Sequence, residues 1–197
     1  NHHEALTAAA LGENPWVVHL RVAVSTSGLL NTCTGSIISD SWVLTSASCI
    51  RDARFVWIRY AAVDVTRPEL VMETSTVRVH PDFNAETGEF GGALLRLNSL
   101  VGFTGKKNIQ PVELAAADAV VPENGQFCGY GTNDDGTGPG ETLNCYDVTI
   151  TQSEDGNLIT SSDVKAGSSV SITRITIEYI IYFYLDGVPR KRAWPGG

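Results

Sequence analysis

The run Thr45-Ser46-Ala47-Ser48-Cys49 puts three hydroxyls directly ahead of a cysteine. A hydroxyl attacks a carbonyl only when a base within hydrogen-bond reach takes its proton, and near neutral pH imidazole does this best. The chain carries 4 histidines. His19 reads as a packed or surface imidazole on a strand, and His80, in His80-Pro81-Asp82-Phe83-Asn84, as a loop histidine. Both remain candidates for contact with a serine inside the fold. His3 lies third from the amine of Asn1, a geometry that can bind Cu(II) in a square plane, although a solvated terminus is the plainer reading. Asp134-Asp135 could touch Ca²⁺ but lacks the spacing of a calcium loop and reads as a polar turn. No other pattern asks for a metal, and none asks for a cofactor.

The elements that must position these residues read as β-strands. Val17 to Val24 alternates polar and apolar residues beyond His19, as a half-buried strand does. Ile37-Ile38, Trp42-Val43-Leu44, Phe55 to Tyr60 and Thr76 to Val79 are further short β-rich pieces. Gly28, Pro68, Pro81-Asp82 and Gly91-Gly92 punctuate them. Short strands at this density of turn signals predict a sandwich or barrel. Ala115-Ala116-Ala117-Asp118-Ala119 tolerates a helix locally and reads as a turn. The glycine-rich stretch from Asn133 to Gly140 reads as a surface loop.

Composition narrows the class. The chain has 197 residues, 43% hydrophobic and 18% charged, which fits one globular domain or two small barrels sharing a core. Net charge is −8, with no basic stripe outside Arg190-Lys191-Arg192. Such a surface repels nucleic acid and anionic lipid, so neither is an expected partner. No apolar run reaches the length of a membrane span, and no signal peptide opens the sequence, so it reads as a mature chain. The 4 cysteines fit two disulfides in an oxidising compartment, with four buried free thiols in a cytosolic protein as the alternative.

Cys33 to Cys49, read whole, closely resembles the histidine region of the chymotrypsin- and trypsin-like serine proteases, CGGSLIS..WVLTAAHC. Ser48 stands where that family keeps its general base. Ala93-Leu94-Leu95-Arg96-Leu97 matches the end of the segment NDIALLRL and puts Gly91 where the orienting aspartate would be. The best match to GDSGGPLV is Val164 to Val170, with Ala166 at the nucleophile and Lys165 at the aspartate before it; Asp163 or Ser168 would shift this register. Pro15-Trp16 matches the family's PW, so the activating IVGG falls on His3-Glu4-Ala5-Leu6, without the buried apolar terminus that pairs with the activation aspartate.

The resemblance implies an all-β double barrel of the trypsin-like type, with an N-terminal half over 1–108 and a C-terminal half over 109–197. Ile109 to Leu114 resembles the linker between halves, and Gly129-Tyr130-Gly131 resembles the GWG strand. It also implies the disulfide Cys33–Cys49 beside the site, leaving Cys128–Cys145 as the second pair. The stretch after Ala166 is shorter than the family uses to complete its second barrel. Ile175 to Leu185 could supply one or two strands, and an edge left open there could recruit a second copy of the chain; closure by the tail itself is the alternative.

The expected protein is therefore a secreted, non-catalytic serine protease homologue whose triad positions are Ser48, Gly91 and Ala166. Cys128/Cys145 and the stretch from Trp57 to Pro68 look most like insect scolexin-type members. Such homologues act by binding proteins, as cofactors or decoys in haemolymph immune cascades, and the expected partners are proteases or protease substrates. The competing expectations are a protease inhibitor or storage-like protein on the same scaffold, and an active endopeptidase whose catalytic residues lie in another register.

Overall fold

A computed structural model describes residues 7–24, 28, 30–87, 90–98, 102–113, 123–131, 140–152 and 158–161. The elements in chain order are β1 (Thr7–Ala8), β2 (Val17–Ala23), β3 (Leu30–Ile37), β4 (Trp42–Ser46), the helix α1 (Ala47–Ile50), β5 (Phe55–Tyr60), β6 (Leu70–Thr74), β7 (Val77–Val79), β8 (Gly92–Arg96), β9 (Asn124–Gly129), β10 (Asn144–Gln152) and β11 (Leu158–Ser161). The expected all-β class is the observed one.

Seven strands form one antiparallel sheet in the order β6-β5-β2-β3-β4-β8-β7. Its two end strands are consecutive in the chain, separated only by Ser75 and Thr76. The sheet must therefore curl until its ends meet. Thr74 Oγ1 donates to the Arg96 carbonyl at 2.5 Å, and the Arg96 amide donates to the Thr76 carbonyl at 3.0 Å, which ties the bend between β6 and β7 to β8. These bonds bring the two ends of the curled sheet together at Ser75 and Thr76.

β5 shows why these residues make strands. Val56, Ile58 and Tyr60 are buried while Phe55, Trp57 and Arg59 are half-buried, the period of two that a pleated strand imposes. The buried set joins Val18, Leu20, Val22, Ile37, Val43, Leu95 and Ile109 in the barrel core. β3 extends well before the expected Ile37-Ile38, and β6 is a strand that sequence patterning does not predict. Leu30 to Ser36 holds few apolar residues, yet β3 pairs with β2 over seven positions, and those backbone bonds supply what the side chains do not.

β2 alternates beyond His19 as expected, with Leu20 and Val22 buried about an exposed Arg21, but its first half does not. Val17 to Leu20 are all buried, and exposure begins only at Arg21. The reason is a second sheet, in which β10 pairs with β1, β9 and β11. Between the two sheets lies a cluster of Val17, Cys128, Tyr130, Leu143 and Cys145, with Ala9, Trp16, Val63 and Val65 packed on it. Backbone bonds cross the same seam, from the Leu143 amide to the Val63 carbonyl and from the Val65 amide to the Glu141 carbonyl, each 2.9 Å. Both disulfides are formed, Cys33–Cys49 with Cα atoms 6.4 Å apart and Cys128–Cys145 across β9 and β10 at 4.1 Å. Ala115–Ala119, the tail from Ile175 to Leu185 and the edge inferred from it lie outside the described residues.

Candidate functional site

β4 delivers its chain end into α1, so Ser48 sits on a single helical turn and is exposed. Two restraints hold that turn. Cys49 is bonded to Cys33 on β3. On the other side β4 pairs with β8 in a register that sets Ser46 opposite Gly92. That register carries Gly91 to the start of α1, where its carbonyl accepts the Ala47 amide at 2.6 Å. Ser48 and Gly91, distant in the chain, are thus neighbours.

Neither residue of the pair carries a side-chain base. The Ser46 and Ser48 hydroxyls lie 3.3 Å apart and share a hydrogen bond. Both are alcohols, neutral near pH 7, and neither accepts a proton from the other to any useful extent. Gly91 is buried and offers only backbone. No carboxylate is supplied from its position, so an imidazole placed at 48 would find nothing there to orient it.

Two features beside Gly91 carry little signal in the sequence. Phe90 is held in the left-handed region, φ 52°, which is uncommon for an aromatic residue. Its ring stacks on His80, with centroids 4.9 Å apart and planes at 17°. The His80 amide donates to the Gly92 carbonyl at 3.3 Å, and His80 Nδ1 accepts the Asp82 amide at 3.1 Å. This turn fixes the imidazole with Nδ1 as acceptor, leaving the proton of the neutral ring on Nε2. The histidine expected in a surface loop therefore packs against the residue next to Gly91. Its place ahead of the aspartate-like segment was the only hint.

His19 lies elsewhere, at the seam. It is 3% exposed on β2, and the Tyr130 ring meets it edge-on with centroids 4.7 Å apart. Burial, then the charges of Arg59 and Arg21, lower its pKa to about 4. It is the packed imidazole that the sequence suggests, and it is neutral at physiological pH. Tyr130 is buried too; its hydroxyl donates to the Ala62 carbonyl at 2.9 Å, and burial raises its pKa.

Ala166, Lys165, Asp163, Ser168, His3 and Asp134-Asp135 lie outside the described residues. Among the described residues no three His, Cys, Asp or Glu side chains group as metal ligands. No described helix is long and apolar enough to cross a membrane. A shallow hollow of about 430 Å³ is lined by Trp57, Val71, Met72, Glu73 and Asn98, and includes neither Ser48 nor Gly91.

Comparison with known proteins places this arrangement. The family model described as Trypsin matches residues 6–174. Mouse serine protease 28 is 31% identical over 108 residues, covering 52% of this chain and 39% of the relative. Ovochymase of Halocynthia roretzi is 28% identical over 125 residues, covering 61% of this chain and 8% of the relative. The chain thus spans well under half of either relative's length. Among solved structures, one described as "Structure of GrC" superposes with a TM-score of 0.67 at 19% identity, over 75% of this chain and 65% of the other. An HL collagenase superposes at 0.66 and 22% identity, over 76% and 64%.

Proposed function

This chain belongs to the trypsin family of serine proteases, and from that premise we propose that it is a non-catalytic homologue acting by binding other proteins. The observation that carries this reading is the contact between the Ala47–Ser48 turn and Gly91. On the sequence alignment β4 and β8 bring the base and carboxylate positions together, and a hydroxyl and a bare backbone occupy them. The substitutions that the sequence aligns at Ala166 and Lys165 point the same way. A scaffold retained without proton-transfer groups still offers the rim around Ser48, Gly91 and Phe90 as a surface for a protein partner.

Secretion is part of the proposal, supported by two disulfides, which persist in oxidising compartments. So is a role as cofactor or decoy toward proteases or their substrates. The finer likeness to insect scolexin-type members, and with it an immune cascade, rests on the sequence pattern from Trp57 to Pro68 and on the Cys128–Cys145 pair.

The direct test is labelling of the intact protein with a serine-directed phosphonate. We expect no adduct by mass spectrometry; one adduct per chain on any serine overturns the reading in favour of an active endopeptidase. Stoichiometric inhibition of a protease, abolished on reduction, would instead identify an inhibitor.

A further inference from the structure

We propose that His19 is an acid-sensitive latch on the seam between the two sheets: protonating it opens the contact between Tyr130 and the first barrel. This goes beyond the binding role above and does not depend on it. The geometry is specific. His19 is buried on β2, Tyr130 closes over it edge-on at 4.7 Å, and His19 Nδ1 has no hydrogen-bond partner among the described residues.

Among the described residues, the groups around the ring offer a cation nothing. Arg21 lies on the same strand, and Arg59 on β5 is its direct cross-strand partner. On β3 the partner is Thr34, which is uncharged. From the second sheet comes Tyr130, whose hydroxyl is already donated to the Ala62 carbonyl and which burial keeps protonated. The charges acting on His19 are both positive, and with desolvation they lower its pKa to about 4. Among the described residues an imidazolium here would be desolvated, without a counter-ion and repelled by two arginines. Moving the second sheet away lets water reach it.

The seam is poised to respond. Its loop carries Ala61 in the left-handed region, φ 51°, directly before the Ala62 carbonyl that holds Tyr130. Strain of this kind persists only while its surroundings enforce it. Two amides report the seam directly, those of Val65 and Leu143, which donate across it.

The test is hydrogen exchange on the intact protein between pH 6 and pH 4.5. If opening takes up one proton, protection of Val65 and Leu143 should fall about twentyfold across that range, once intrinsic exchange is corrected for. At every pH these amides should be less protected than those of Leu20 and Leu95, and in His19→Phe their protection should be flat with pH. A flat profile in the wild type, the same fall in His19→Phe, or seam amides protected equally with the core would each overturn the proposal. The wild-type imidazole, followed by NMR without any variant, should stay neutral to below pH 5; an ordinary midpoint near 6.5 with the seam amides still protected would also overturn it.

Discussion

The Ala47 amide donates to the Gly91 carbonyl across 2.6 Å, binding the residue before Ser48 to the residue that the sequence aligns with the family's aspartate. On the proposed alignment this bond brings the base and carboxylate positions together, with side chains that supply neither group. Restoring them tests how far the scaffold remembers the arrangement. Gly91→Asp alone should destabilise the protein by about 2 kcal/mol, since it buries a carboxylate without a partner. Ser48→His, at an exposed position, should fall within about 0.5 kcal/mol of neutral. The double variant should recover about 1 kcal/mol through a coupling between the two side chains, read from a urea double-mutant cycle. Strict additivity would mean the two side chains do not meet.

Stability should depend on pH through His19. Its folded pKa of about 4 lies below the unfolded value of 6.5. Between the two, the unfolded chain binds a proton that the folded chain refuses, so acid favours unfolding. The contribution is complete above about pH 6.5, declines as pH falls, and levels off below about pH 4, with a total near 3 kcal/mol. Urea midpoints measured from pH 7 to pH 4 should show this decline, and His19→Phe should flatten it.

Gly35 marks a close approach inside the motif that ends at Cys49. A Cβ there would lie 2.8 Å from Val43 Cγ1, 3.1 Å from Leu20 Cδ1 and 3.2 Å from the Leu44 carbonyl. Gly35→Ala should therefore cost about 1–3 kcal/mol by overpacking, against almost nothing at Gly102, where a Cβ would meet no atom within 4 Å. Thermal melts of the two variants decide it.

The disulfides close loops of similar length, with sequence separations of 16 and 17. Chain entropy predicts that each contributes about 3 kcal/mol. Replacing either pair by serines should lower the unfolding free energy by comparable amounts, and reduction should lower it further than either alone. Loss of only one pair's contribution would show that strain or residual structure outweighs loop closure at the other.

Much of the first barrel was legible from local chemistry. Val56, Ile58 and Tyr60 alternate with polar or half-buried neighbours, so β5 announces itself. Ala93 to Leu97 could be aligned because five consecutive residues match a family segment, which places Gly91 opposite the family's aspartate in that alignment. β3 and β6 were hidden in part because backbone pairing with a neighbouring strand, rather than their own apolar content, holds them extended. Phe90 was hidden altogether, since nothing in a residue's identity states the sign of its φ.

The sequence by itself determined the family, the all-β class and the side chains at positions 48 and 91, because each of these rests on short runs of residues read in order. The tertiary structure alone decided that Ser48 and Gly91 are neighbours, that the sheet closes where β6 bends into β7, and that His19 is sealed beneath Tyr130. Each of those depends on strands far apart in the chain choosing a common register. Register is set by the packing of whole faces against one another, and no local pattern of residues contains it.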